Sequence, residues 1–134
     1  MKPAAREWVR CAEEDFDVAA ALLRRRTKSA ASSIGFHAQQ CVEKYLKARL
    51  EEVGLNVPKT HDLVALLQLL LPAEPLGASS APALRRLNDY AVKLRYPGHV
   101  ATRAACAAGL ESSPVRPCRC SYEPWSSPEL TRLA

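Results

Sequence analysis

The chain has 134 residues, of which 48% are hydrophobic and 25% charged, and its 19 Lys and Arg residues against 14 Asp and Glu residues give a net charge of +5. This length fits one domain that can bury its own core without disulfides or metals. The positive charge is compatible with RNA, a nucleotide or an acidic protein as partner. It is equally compatible with no such partner, since a net charge also keeps an ordinary protein dispersed in solution.

Two features of the sequence favour a cytoplasmic protein without a membrane partner. The longest apolar run, Leu63 to Leu71, is less than half a membrane span, and the first residues contain no apolar signal segment. Five cysteines at irregular spacing do not form the paired framework of a secreted protein, so we expect reduced thiols.

The sequence also lacks the patterns of several enzyme classes. Cys118 and Cys120 are the only close cysteine pair, and no second Cys or His pair stands at zinc-finger spacing. There is no glycine-rich phosphate loop, HExxH helix or paired-carboxylate site. We therefore expect no metal ion and no cofactor, and we set aside kinase, NTPase and metalloprotease functions.

The first half of the chain predicts two amphipathic helices. The first runs from Ala4 to about Arg26. It ends in Arg24, Arg25 and Arg26, whose positive charges suit the negative C-terminus of a helix, although these arginines could also contact phosphate. The second runs from about Ser29 to Val53 and ends at Gly54, which tolerates a left-handed turn. Its predicted core residues are Ile34, Cys41, Val42, Tyr45, Leu46 and Ala48.

The second half predicts two longer helices and a short one. The third helix has Thr60 as its N-cap, opens with His61 and ends before Pro72. Residues 72–82 read as a flexible connection because of their prolines and small residues. The fourth helix follows Pro82, and a short helix is predicted over 99–110. The predicted core residues of the fourth helix are Leu84, Leu87, Ala91 and Leu94.

The composition changes abruptly after residue 110. The last 24 residues contain four prolines and five serines and have no helical or strand period. We therefore predict a helical domain over 1–110 and a Pro/Ser-rich disordered tail over 111–134. Because no strand period or repeat appears anywhere, the predicted fold is all-α, an up-down antiparallel bundle of four to five helices.

A polar stripe on the second helix is the main candidate for function. His37, Gln40, Lys44 and Lys47 fall within an arc of roughly 80°. In one interpretation this is a solvated face on which Glu43 and Lys47 form an i, i+4 ion pair. In the other it faces a partner, with Lys44 and Lys47 contacting phosphate and Gln40 making structural hydrogen bonds.

Two further candidates lie elsewhere in the chain. His61 could bind a phosphate at the start of the third helix, although the neighbouring Asp62 would work against an anion there. Alternatively, it fixes the loop after Pro58 by hydrogen bonding, which we favour because helix starts usually satisfy themselves with such groups. Tyr96 is a candidate contact of a nucleotide, RNA or protein partner, although we expect Tyr45 and Tyr96 to be core and interface aromatics rather than stacking platforms.

Four segments together give the chain a family likeness. "WVRCAEEDFDVAAALL", "HAQQCVEKYLKARL", "THDLVALL" and "DYAVKLRYPG", in this order, make the sequence resemble the HEPN domains of prokaryotic proteins over residues 7–102. The resemblance implies an up-down helical bundle that commonly forms a homodimer and is often encoded beside a minimal nucleotidyltransferase. Many HEPN proteins look like RNA-cleaving toxins, with an Arg followed by a His after four to six residues, while others are regarded as nucleotide-binding partners.

The match to the nuclease motif is incomplete, because only three residues separate Arg95 from His99. In an active enzyme these residues would stabilise the phosphate charge and transfer a proton. Alternatively, Arg95 pairs with an acid such as Asp15 or Asp89, and His99 begins the last helix. We therefore favour a non-enzymatic nucleotide- or RNA-binding HEPN protein, the partner of a minimal nucleotidyltransferase in a toxin-antitoxin-like pair. A metal-independent RNase toxin and a non-catalytic dimeric protein adaptor are the alternatives.

The resemblance also implies a long, charged amphipathic helix after "RYPG", where this chain has an alanine-rich stretch and then prolines and serines. This difference suggests the hypothesis of a reading-frame shift near 101–108, and translation of the gene in its other two frames tests it.

Overall fold

The computed structural model describes residues 1–25, 30–93 and 96 of the chain. These residues form α1 (Pro3–Arg24), α2 (Ala31–Val53), α3 (Leu63–Leu70), a 3-10 helix (Pro75–Ser80) and α4 (Ala81–Lys93), and they contain no strand. The prediction of an all-α helical bundle is confirmed. The predicted helix over 99–110 and the predicted tail over 111–134 lie outside the described residues.

Helix α1 packs against α2 through a stripe of small residues. Proline suits the first turn of a helix, where its missing N–H is not needed, and α1 begins at Pro3. Its buried residues recur at helical spacing. Lys2 at its start donates to the Glu52 carboxylate near the end of α2, so the two helices are antiparallel. The buried residues of α1 are Ala5, Ala12, Asp15, Ala19 and Leu23.

Helix α2 lies at the centre of the bundle. Between Ala38 and Leu50 every residue is buried except three that are partly exposed, because α1 covers one side of α2 while α3 and α4 cover the other. Gly54 ends the helix with φ 82°, as predicted, and Leu55 donates its N–H to the Leu50 carbonyl oxygen at 2.9 Å. The six predicted core residues of α2 are all buried.

The loop over 54–62 runs back along α2, so that α3 begins beside the middle of that helix. The carbonyl oxygen of His61 accepts a hydrogen bond from Gln39 Nε2 at 3.0 Å. The predicted N-cap, Thr60, is wrong: Asp62 caps α3 by accepting from the N–H groups of Val64 and Ala65. The carboxylate of Asp62 adjoins the first turn, whereas the Thr60 hydroxyl accepts the N–H of Asp62 in the turn before it.

The connection between α3 and α4 is more ordered than the sequence predicted. Pro75 opens a 3-10 helix, a turn in which its fixed φ is favourable, and the preceding Glu74 pairs with Arg49 of α2. The prediction of a flexible connection over 72–82 is therefore wrong.

Helix α4 packs against α2 and α3 through Leu84 and Leu87, as predicted. Asn88 joins its middle to the start of α3, because its amide donates to Asp62 and its Oδ1 accepts the N–H of Leu63. The charged residues of α4 are exposed, as expected. The described side chains do not include those of Ala91 and Leu94. In the ranges that the structure describes, no helix has the length and apolarity needed to cross a bilayer.

Candidate functional site

A carboxylate from α1 joins two members of the polar stripe of α2. Asp15 Oδ1 lies 2.9 Å from His37 Nδ1, and Asp15 Oδ2 accepts a hydrogen bond from Lys44 Nζ at 2.5 Å. The seven-residue spacing of His37 and Lys44 is two helical turns, so both side chains reach the same face of α2. We call these three residues the Asp15 centre. It is a point at which α1 and α2 are held together by charge.

A second carboxylate, that of Glu43, accepts hydrogen bonds from the remaining stripe residues, Gln40 and Lys47. Glu43 Oε1 accepts a hydrogen bond from Lys47 Nζ at 2.8 Å, His61 Nδ1 lies 3.1 Å from both carboxylate oxygens, and Gln39 Nε2 donates to Oε2 at 3.1 Å. Gln40 supports this group by donating to Gln39 Oε1 at 2.9 Å. We call these five residues the Glu43 centre. It joins α2 to the loop before α3.

The Glu43–Lys47 pair is buried, although the polar stripe was predicted to be either solvated or facing a partner. The Glu43 and Lys47 side chains are 4% and 8% exposed. The Lys47 ammonium lies 5.3 Å from the centroid of the Trp8 ring, a cation–π contact with α1. The predicted ion pair is confirmed, but its interpretation as part of a solvated face is wrong, because α1 and the loop before α3 cover it.

The candidate residues therefore differ in how far they reach solvent. His37 and Lys44 are 28% and 24% exposed in their side chains, and His61 is 82% exposed although Nδ1 contacts Glu43. The predicted hydrogen bonding of His61 that fixes the loop is observed: its ring contacts Glu43, and its carbonyl oxygen accepts from Gln39. Lys47 has its ammonium inside the bundle, so a phosphate could reach it only after the cover over it opened.

The two tyrosines occupy different environments. Tyr45 is buried between α1 and α2, as expected. Tyr96 is 66% exposed, so among the described residues it is a surface aromatic. The two catalytic candidates, Arg95 and His99, lie outside the described residues.

A buried thiol adjoins the Asp15 centre. Burial raises the pKa of Cys41 to about 12, the negative charge of Asp15 adds to the rise, and the positive charge of Lys44 opposes it. Cys41 is therefore a neutral core residue at physiological pH rather than a nucleophile.

Three members of the two centres were not singled out from the sequence as site residues: Asp15, Gln39 and Glu43, the last of which was predicted only as the partner of Lys47. Asp15 stands three residues after Ala12 and four before Ala19, inside the apolar stripe of α1. A lone acid at such a position is a signal that it pairs with a cation on the neighbouring helix.

Each centre contains one carboxylate, one lysine and one histidine, so its net charge is zero with neutral histidine and +1 with protonated histidine. This arrangement can bind helices to one another and can offer additional N–H groups to an anion at its exposed edge. Within the described part of the chain, no group of three or more His, Cys, Asp or Glu residues is placed to hold a metal ion.

The sequence matches the HEPN domain family over residues 5–113. The chain belongs to the HEPN family. The matched region of this HEPN protein includes both centres, α2, α3, α4 and all of α1 except Pro3 and Ala4. Membership supports a function related to nucleotides or RNA. No curated protein and no solved structure matches the chain.

Proposed function

We propose that this HEPN protein binds the phosphate groups of a nucleotide or of RNA and is the partner of a minimal nucleotidyltransferase in a toxin-antitoxin-like pair. We further propose that it acts as a homodimer and without catalysis of its own. A cytoplasmic location fits this function.

The observation that supports phosphate binding is the convergence of Lys44 and His37 on Asp15. Both side chains reach solvent at the edge of the α1–α2 interface. Lys44 has three N–H donors, of which Asp15 Oδ2 accepts one, and the ring of His37 has a second nitrogen. An anion at this edge would receive charge-assisted hydrogen bonds from two side chains that the fold already holds together.

The test compares wild-type protein with Lys44→Gln in titrations with ATP and with an oligouridine RNA. We expect Lys44→Gln to weaken binding and, for RNA, to reduce the slope of log affinity against log salt by about 0.7, the contribution of one phosphate contact on a single strand. His37 still contacts Asp15 in this variant, and circular dichroism checks that it is folded.

The matched control is Lys59→Gln, which removes the same charge from an exposed loop position outside both centres. Equal effects of the two substitutions would show that Lys44 contributes only general charge. If wild-type protein binds neither ATP nor RNA, phosphate binding is wrong, and salt-insensitive binding to a protein would favour the adaptor alternative.

Pairing with a nucleotidyltransferase is tested by co-purification from cells that express both genes. We expect a stable complex, and sedimentation of the isolated HEPN protein should give the mass of a dimer. A monomer that does not retain the nucleotidyltransferase would contradict both proposals.

A further inference from the structure

The positive charge of the chain is concentrated in two stretches that contain no acidic residue. Residues 18–42 and 90–110 contain seven of the 19 Lys and Arg residues and none of the 14 Asp and Glu residues. The charge excess of the whole chain therefore arises in these stretches. They are far apart in sequence, and only the fold determines whether their cations act together.

The fold brings the end of α1, the start of α2 and the end of α4 together at one end of the bundle. Leu23 at the end of α1, Ala30 before α2 and Ile34 in its first turn form a buried cluster. Tyr90 of α4 packs against this cluster. The C-terminal ends of α1 and α4 therefore lie at the same end of the bundle.

The arginines at this end have no acidic partner among the described residues. Arg24 and Arg25 are exposed, whereas Arg10 pairs with Glu7 and Glu14. Lys93 Nζ lies 3.6 Å from Asp89 Oδ2. Both side chains are exposed, so this ion pair is weak in water. These cations keep their charge available to an external anion.

An exposed aromatic ring completes this surface. The N–H of Tyr96 donates to the carbonyl oxygen of Lys93, the last residue of α4, at 3.2 Å, so Tyr96 lies next to the end of that helix. Its side chain is 66% exposed. Cations that can contact phosphates beside a solvent-facing aromatic ring are the combination found in proteins that bind single-stranded nucleic acid.

We propose that Arg24, Arg25, Lys93 and Tyr96, which we call the basic end, bind single-stranded RNA. The cations come from two helices, so they suit a chain with several phosphates better than a mononucleotide. Tyr96 can stack on a base only where that base is unpaired, which favours a single strand over a duplex. This inference rests on the proposed function, and it names the substrate class and a surface separate from the Asp15 centre.

The test measures the affinity for oligouridine RNA at several salt concentrations. We expect Arg24→Gln with Arg25→Gln to reduce the slope of log affinity against log salt by about 1.4, since each phosphate contact on a single strand contributes about 0.7. The matched control is Arg85→Gln with Arg86→Gln, which removes two adjacent exposed arginines from the earlier part of α4. The control should leave the slope near that of the wild type.

Tyr96 is tested with the same RNA. Tyr96→Ala should weaken binding by about fivefold or more, the lower range for loss of one stacked base, while Tyr96→Phe should keep the affinity of the wild type. These substitutions lie on exposed positions, and circular dichroism of each variant checks the helical content.

The outcomes separate this inference from the proposed function. Binding by the wild type with equal slopes for the two arginine variants overturns the basic end and leaves phosphate binding standing. Tighter binding of a duplex than of oligouridine also overturns it. No binding of either ATP or RNA by the wild type overturns the proposed function and this inference together.

Discussion

Lys47 and Lys93 each form an i, i+4 pair with an acid of the same helix, but only the pair of Lys47 is buried. We expect Lys47→Ala to reduce the free energy of unfolding by about 3 kcal/mol, because it leaves Glu43 buried without its lysine. The measurement is urea denaturation followed by circular dichroism.

The matched control is Lys93→Ala, which should change the free energy of unfolding by less than about 1 kcal/mol because water screens the exposed pair. Equal losses in the two variants would mean that water reaches the Glu43 centre in solution.

Cys41 allows a test of burial by chemical labelling. Burial raises the pKa of its thiol from an ordinary 9.0 to about 12, so its reactive thiolate is scarce in the native state. We expect iodoacetamide at pH 8 to label Cys41 only after unfolding, as measured by mass spectrometry of the labelled peptides. Rapid labelling of the native protein would contradict the packing between α1 and α2.

The raised pKa of Cys41 also affects stability at high pH. The unfolded chain loses this proton near pH 9.0 and the folded chain near pH 12. The contribution of Cys41 to stability is therefore constant below pH 9 and decreases between pH 9 and 12.

The sequence identified the polar stripe of α2 but not its environment. Helical spacing showed that His37, Gln40, Lys44 and Lys47 share a face. It could not show that Trp8 of α1 covers Lys47, because contacts between helices depend on their relative rotation, which a period within one helix does not specify.

At the scale of elements, substitutions at the start of α3 test which residue caps that helix. We expect Asp62→Ala to reduce the free energy of unfolding by about 1–2 kcal/mol, because Asp62 accepts from two N–H groups of the first turn. The Asn88 amide would lose a partner as well. Thermal unfolding monitored by circular dichroism measures the effect.

Thr60→Ala is the comparison for this prediction. Its hydroxyl accepts one exposed hydrogen bond outside the helix, so we expect a smaller loss than for Asp62→Ala. A larger loss of unfolding free energy for Thr60→Ala than for Asp62→Ala would indicate that Thr60 is the N-cap, as the sequence predicted.

The ends of the long helices were largely predictable. Proline near the start of α1 and glycine after α2 act locally, and the observed ends lie within about two residues of the predicted ones. The 3-10 helix over Pro75–Ser80 was not predicted, because it has no periodic apolar face and is supported by the pairing of Glu74 with distant Arg49.

At the scale of the whole molecule, Arg95 and His99 test the nuclease alternative. We expect purified wild-type protein to leave RNA intact in EDTA, because the spacing of the pair is shorter than the nuclease motif requires. RNA cleavage by the wild type that is lost in both folded Arg95→Ala and His99→Ala variants would overturn the non-catalytic function. The assay separates labelled RNA on a denaturing gel.

The family was predictable from the order of four motifs, and the match over 5–113 confirms it. The basic end was not predictable in the same way. The sequence showed Arg24 and Arg25 as residues that suit a helix terminus, and only the packing of Tyr90 against the cluster that contains Leu23 places them at the same end as Lys93.

The enclosure of α2 limits how this domain can vary. A single residue inserted near the middle of α2 would rotate everything after it by about 100° and turn Lys47 away from Trp8. The same insertion at the exposed residues 55–56 of the following loop would only lengthen a surface connection. We therefore expect natural length variation in such chains to fall in the loop, while the stretch between His37 and Leu50 keeps a constant number of residues.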